Sequence, residues 1–223
     1  MVPSSKSSYI IGIAGPSCAG KTELARALVE AVRGPAVVLP IDAYYFGMEE
    51  IPLADRKKSN FDDPAAIEVG LLLDHLLQLS AGRPISRPIY CFETYSRIAN
   101  TEHLEPADII IVEGLFALYW EPLRSLLDLK VFVTAPGQLC FRQRLNRDVQ
   151  RRGRSMESIR TQFCETVWPS AERYVLPTQK HADLCLFGDA SLANSVKAVV
   201  QHLDNTFLQS QPPLAMKDTV SAA

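Results

Sequence analysis

The chain has 223 residues, 47% of them apolar, with 23 Lys and Arg against 25 Asp and Glu. That length suits one α/β domain, or one domain with a small insertion, and such a chain can bury a full core without disulfides or a structural metal. A net charge of −2 points to neither nucleic acid nor an acidic membrane surface as a partner, and five widely spaced cysteines with no CxxC pair or zinc-type cluster read as reduced thiols.

No segment is long and apolar enough to span a membrane, and the opening MVPSSKSS lacks the apolar stretch of a secretory signal, so the cytoplasm is the expected compartment. Residues 9–14 (YIIGIA) predict a buried strand, 15–20 a loop, and 21–32 a helix with apolar spacing at Leu24, Ala25, Leu28 and Val32. Residues 36–41 (AVVLPI) predict a second strand, although Pro40 removes a ladder donor. A helix is predicted over 65–79, ended by Gly82 and Pro84. Residues 87–97 (RPIYCFETYSR) suit a short strand or a hairpin. The run 108–112 (DIIIV) suits a central parallel strand, and 129–134 (LKVFVT) another. Helices are predicted over 139–152 and 156–167, broken at Gly153, then a last strand over 183–187 and a last helix over 192–208.

This β–α alternation implies an α/β fold of three layers, a mostly parallel sheet with helices on both faces. Residues 1–208 are expected to form a single domain. Within it, residues 60–97 interrupt the alternation as an insertion that carries substrate contacts, and 142–154 form a helical lid. Residues 209–223, polar and small with Pro212 and Pro213, are expected to be a disordered tail.

The segment Gly15-Pro16-Ser17-Cys18-Ala19-Gly20-Lys21-Thr22 matches G-x-x-x-x-G-K-[ST] between a predicted strand and a predicted helix. Its glycines let backbone N–H groups turn inward around phosphate oxygens, and the helix N-terminus adds positive potential. Lys21 can reach the β- and γ-phosphates, and the Thr22 hydroxyl can ligate Mg²⁺. An Asn-Lys-x-Asp guanine-reading motif and an ABC signature are both absent, and the chain is too short for a motor. With this loop the expected fold is of P-loop NTPase type, and a small-molecule kinase is the reading that remains.

Ligands of open α/β sheets bind beyond the C-terminal ends of the strands. Asp42 follows one predicted strand and Glu113 another. A carboxylate there can take the proton of an attacking hydroxyl, the task assigned to Asp42, or hold Mg²⁺ directly or through water, the task assigned to Glu113. Arg144, Arg147, Arg151 and Arg154 fall within a helical stripe of roughly 80° at about 100° per residue, with Arg142 and Arg152 off it. Only Asp148 offsets these six cations in 13 positions. Arginines closing over a transferring phosphoryl group stabilise its charge, and Gly153 offers a hinge, so a mobile basic lid is favoured over a nucleic-acid patch, which lacks interleaved aromatics here.

Taken together, GIAGPSCAGKT, IDAYY, NFDDPAAIE, PIYCFETYSR, IIIVEGLFAL, RLNRDVQRRGR, TQF and PTQKHADL occur in the order and at the separations of the uridine kinase (uridine-cytidine kinase) family, relatives of phosphoribulokinase, which the chain resembles over residues 9–188. The resemblance implies transfer of the γ-phosphoryl group of ATP, with Mg²⁺, to the 5′-hydroxyl of uridine or cytidine. It implies that Asp42 is the catalytic base, with Lys21, Arg147 and Arg152 on the phosphates, and that Gly15, Ser17, Cys18, Ala19, Gly20, Lys21 and Thr22 hold the nucleotide. Thr22 and Glu113 then form the Mg²⁺ environment, and Asp62 binds the ribose hydroxyls, since a carboxylate accepts from two adjacent donors. Tyr45, Phe61 and Tyr90 are implied as walls of the nucleoside pocket, Arg144 as a ribose-side arginine, and Arg154 and Gln162 as neighbours of the pyrimidine. Family members are often tetramers, so a homo-oligomer is implied too, with a nucleoside as the partner molecule and neither nucleic acid nor membrane. Three positions depart from the family pattern: Cys91 replaces an Asp, Tyr95 stands where a base-reading His is expected, and Asp63 stands where a His is common. No motif decides between ATP and GTP. Phosphoribulose, pantothenate, glycerate or nicotinamide riboside as acceptor, and a non-catalytic nucleotide-binding regulator, are the rival readings.

Overall fold

The structure, a computed structural model, describes residues 8–48, 50–56 and 59–210, apart from the side chains of Ala54, Arg151, Arg152 and residues 205–210. Five parallel strands, β1 (Tyr9–Ala14), β2 (Ala36–Pro40), β5 (Ile109–Glu113), β6 (Leu129–Thr134) and β7 (Leu184–Phe187), lie in the order β2-β5-β1-β6-β7. A separate antiparallel pair is made by β3 (Ile85–Cys91) and β4 (Ser96–Leu104). The helices are α1 (Lys21–Ala31), α2 (Leu53–Arg56), α3 (Val69–Ser80), α4 (Glu121–Arg124), α5 (Gly137–Arg152), α6 (Met156–Gln162), α7 (Trp168–Ser170) and α8 (Leu192–Ser210).

Strand residues alternate between the two faces of a sheet, and the central strands use both. Ile10, Ile110 and Val112 join Leu72, Leu76, Phe116 and Leu123 in one core. Ile11, Ile13, Ile109 and Ile111 join Leu24, Leu28, Cys140 and Val199 in the other. Hence α3 and α4 cover one face, and α1, α5 and α8 the other. A strand buried on both sides must read as a continuous apolar run, which is why Ile109–Glu113 holds no polar residue before its last position. Pro40 is tolerated because β2 is an edge strand and Pro40 is its final residue, paired with Glu113.

Several boundaries differ from those expected. The helix predicted from residue 65 begins at Val69, because Asp63 caps a 3₁₀ turn (Pro64–Ala66) by accepting from the Ala65 N–H at 2.8 Å, and Ile67 then bridges to Tyr45. The stretch 87–97 is a hairpin whose strands run beyond it on both sides, closed by the loop 92–95 between the paired Cys91 and Ser96. Gly153 ends α5 with φ 59, the left-handed C-cap that glycine adopts without strain. After α6 the chain passes through two π-helical turns, Phe163–Val167 and Ala171–Val175, before β7. The tail expected over 209–223 lies outside the described residues from 211 onward, and 209–210 belong to α8.

The turn after β1 leaves no room for a side chain at its first residue, Gly15. Gly15 has φ 147, and a Cβ there would stand 2.2 Å from the Val133 carbonyl oxygen. Gly15→Ala is therefore expected to destabilise the chain by about 2 kcal/mol or more. Urea unfolding measures this, and an unchanged midpoint would contradict the packing described.

Candidate active site

The strand order sets three C-terminal strand ends side by side. Glu113 closes β5 and is in register with Ile13 of β1 and Pro40 of β2. From β1 the chain enters the phosphate loop, and from β2 it enters a 3₁₀ turn (Ile41–Tyr44) that carries Asp42. The loop and the two carboxylates thereby line a single open cleft of about 2280 Å³.

At the loop end of the cleft lie Ser17, Cys18, Ala19, Gly20, Lys21 and Thr22. Cys18 is left-handed, with φ 64, and Gly20, with φ 101, opens α1 without any side-chain cap, so the first N–H groups of the helix remain available to an anion. Gly15 lies beneath the loop and does not line the cleft. The Lys21 Nζ donates to the Pro16 carbonyl at 2.9 Å, which folds the ammonium back over the loop. The Thr22 hydroxyl donates to Glu113 Oε1 at 3.2 Å. Glu113 is 7% exposed, and burial, with Asp42 nearby, pushes its pKa up to about 7. A hydroxyl and a buried carboxylate are hard oxygen donors of the kind Mg²⁺ takes, so these two residues fit that ion. Among the described residues no group of three or more His, Cys, Asp or Glu could hold a metal ion.

Asp42 is exposed to the cleft, and its turn is held from behind. Arg97 of β4 donates from Nε to the Tyr45 carbonyl (2.9 Å), from Nη2 to the Tyr44 carbonyl (3.1 Å) and from Nη1 to Glu68 (2.6 Å). One side chain thus ties the hairpin to the turn that aims Asp42. Nothing in the sequence singled Arg97 out beyond its place at the end of the ambiguous 87–97 stretch.

The other end of the cleft is aromatic. Tyr45 donates to the Phe61 carbonyl at 2.7 Å, and the two rings meet edge to face at 5.4 Å. Tyr95, at φ 53 in the hairpin loop, stacks on Phe61 with centroids 5.3 Å apart and planes at 24°. Tyr45, Phe61 and Tyr95 line the cleft, whereas Tyr90 does not. It is buried behind them, 5.2 Å from both Tyr45 and Phe92, and so backs the wall. Phe92, 39% exposed, lines the cleft in its place. Asp62 is also there, 8% exposed, its pKa raised by burial against the opposing pull of Arg144.

The basic stripe differs from the expected one. Arg144, Arg147 and Arg154 line the cleft, but they are not unpaired cations. Asp148 lies buried among them and pairs with all three. The reason is helical geometry plus the Gly153 turn: Arg144 stands four residues before Asp148 on the same face, and the left-handed cap brings Arg154 back over it. Arg144 also donates to Ser17 Oγ (3.1 Å) and to Gln162 Oε1 (3.1 Å), the oxygen that Arg154 reaches at 2.7 Å. The side chains of Arg151 and Arg152 lie outside the described residues.

Phe187, the last residue of β7, and Leu192 after it also line the cleft, and Phe187 is 66% exposed. Its position at the C-terminal end of a parallel strand was the signal that could have marked it.

A sequence profile of the Phosphoribulokinase / Uridine kinase family matches residues 10–188. A uridine kinase of Lactobacillus johnsonii is 41% identical over 182 residues, covering 81% of this chain and 86% of that protein. A uridine kinase of Shewanella frigidimarina is 38% identical over 207 residues, covering 89% of this chain and 98% of that protein. Among solved structures, the phosphoribulokinase of Rhodobacter spheroides superposes with a TM-score of 0.63 at 17% identity, covering 86% of this chain and 75% of that one, a likeness of fold.

Proposed function

The chain belongs to the phosphoribulokinase/uridine kinase family, and on that premise we propose that it transfers the γ-phosphoryl group of ATP to the 5′-hydroxyl of a pyrimidine nucleoside, uridine or cytidine, giving UMP or CMP for pyrimidine salvage. The observation that carries this reading is the single cleft with a phosphate loop at one end, an aromatic wall with Asp62 at the other, and Asp42 on the same lining.

In this reading the nucleotide phosphates take the uncapped N–H groups of the loop and α1, and Lys21 leaves the Pro16 carbonyl for the β- and γ-oxygens. Asp62 accepts hydrogen bonds from the ribose 2′- and 3′-hydroxyls, and the base packs on Phe61 and Tyr45. The Asp42 carboxylate takes the 5′-hydroxyl proton as the oxygen forms its bond to the γ-phosphorus and the bond to the bridging oxygen of ADP breaks. Thr22 and Glu113 would hold Mg²⁺, which neutralises charge on the phosphate oxygens when bound. Arg147, with Arg152, meets the transferring group, and Arg144, Arg154 and Gln162 form the substrate-side edge. GTP is an alternative donor. Among the described residues no helix is long and apolar enough to cross a membrane, and the cysteines are free thiols, which supports a cytoplasmic enzyme. A homo-oligomer is part of the same proposal.

A coupled ADP-release assay with ATP and Mg²⁺ tests the reading against uridine, cytidine, pantothenate, glycerate, ribulose 5-phosphate and nicotinamide riboside. Turnover with a pyrimidine nucleoside is expected. Turnover only with another acceptor, or ATP binding without any turnover, would overturn it. The same assay reads Tyr95, whose hydroxyl can accept from the cytosine amine. Cytidine is expected to exceed uridine in kcat/KM by about tenfold, the worth of one hydrogen bond, and Tyr95→His should bring the two together. A clear uridine preference in the unaltered chain would refute this role.

A further inference from the structure

Asp148 is fully buried, and it does not line the cleft that its arginine partners line. Its Oδ1 accepts from Arg147 Nε at 2.8 Å. Its Oδ2 accepts from Arg154 Nη1 at 3.5 Å and stands 3.6 Å from Arg144 Nε, an ion pair beyond hydrogen-bond length. Its backbone carbonyl accepts the N–H groups of Gly153 and Arg154 and so closes α5. One residue therefore ends the helix, fixes where the chain turns, and gathers three guanidinium groups around one negative charge.

Three cations converging on one wall of a cleft repel each other unless an anion lies among them. A buried anion acts strongly because water does not screen it, and it is costly to keep there unless its oxygens are satisfied. Guanidinium groups held by carboxylate oxygens keep their remaining N–H donors in set directions. Donors that are already oriented cost no reorganisation when charge develops on a transferring group.

We propose that Asp148 is a positioning residue for phosphoryl transfer: it touches no reactant, and it fixes Arg144, Arg147 and Arg154 in the arrangement in which they meet the phosphoryl group and the substrate. The proposal rests on the kinase reading above. An acid so placed acts on the transition state more than on the ground state, because small displacements of the arginines weaken contacts that matter most as charge spreads over the oxygens.

The test uses the full chain. Asp148→Asn keeps the shape and removes the charge. Its kcat per folded molecule, corrected by circular dichroism and active-site titration, is expected to fall by roughly 10²-fold, with KM for ATP and nucleoside within about threefold. Joined to Arg147→Ala, it should lower kcat less than the product of the two single effects, because part of its action passes through Arg147. A folded Asp148→Asn with kcat and KM unchanged, or a multiplicative double variant, overturns the proposal. Should Asp148→Asn not fold, Arg147→Lys decides: it leaves a cation facing the cleft but removes the Nε–H that Asp148 holds. A loss close to that of Arg147→Ala is expected, and near-normal kcat overturns the proposal. Failure of the kinase reading is seen separately, as an unaltered chain that turns over neither uridine nor cytidine.

Discussion

Asp42→Asn is expected to lower kcat by roughly 10³-fold, the typical worth of a positioned general base, while ATP affinity stays within about twofold. The substitution keeps the size of the side chain and one acceptor oxygen but removes the ability to take a proton. Its surroundings should not rearrange, because the 3₁₀ turn Ile41–Tyr44 is held by the buried Ile41 and Tyr44 side chains and by Arg97 on the Tyr44 and Tyr45 carbonyls. Coupled ADP release reports turnover, and titration calorimetry with ATP reports binding. Retention of more than a tenth of the original kcat would remove Asp42 from the role of base. Loss of ATP binding together with turnover would show that the residue acts on the nucleotide instead.

Glu113→Gln is expected to separate stability from activity. In the folded, ligand-free chain Glu113 has a pKa of about 7 against 4.5 for an ordinary glutamate, chiefly because burial penalises its charge and secondly because Asp42 is near. Between those values the folded state binds the proton more tightly than the unfolded state. The contribution is fully present below pH 4.5 and is lost as pH rises through about 7. The difference of about 2.5 units corresponds to about 3 kcal/mol at 1.36 kcal/mol per unit. Glu113→Gln carries no such charge, so its stability should lack this part of the pH dependence and exceed that of the unaltered chain at pH 8. Urea unfolding across pH 4.5–8, without nucleotide or metal, measures both. An unchanged pH slope would mean that Glu113 is not the titrating group. Turnover should fall by roughly 10²-fold or more, because an amide offers Mg²⁺ no negative oxygen.

The elements that place the site differ in how far local sequence dictates them. The strand ends at Ala14 and Glu113 are legible because a strand buried on both faces must be an apolar run, which Gly12 does not interrupt and which stops at the Gly15 loop after β1 and at the first charged residue, Glu113, in β5. The phosphate loop is legible for a related reason. Its backbone conformation needs glycine at set positions, and Gly15 has no room for a Cβ against Val133. The hairpin is ambiguous in the sequence because its strands pack on one side and their register shifts between Pro88 and Tyr90, so neither periodicity nor propensity decides between strand and loop.

Residue chemistry, spacing and resemblance singled out Lys21, Thr22, Asp42, Asp62, Glu113 and the arginine stripe. Which of these line one cleft was decided by strand order, since residues 42 and 113 become neighbours only when β2 lies beside β5. Burial also reassigned three side chains. Tyr90 moved behind the wall, Phe92 came onto it, and Asp148 became the buried anion that organises the stripe it interrupts. Sequence carries what a residue can do and the local backbone it demands. Long-range packing decides which face a side chain takes and what it meets there, because a one-residue change of facing costs nothing locally and is settled only by partners far along the chain.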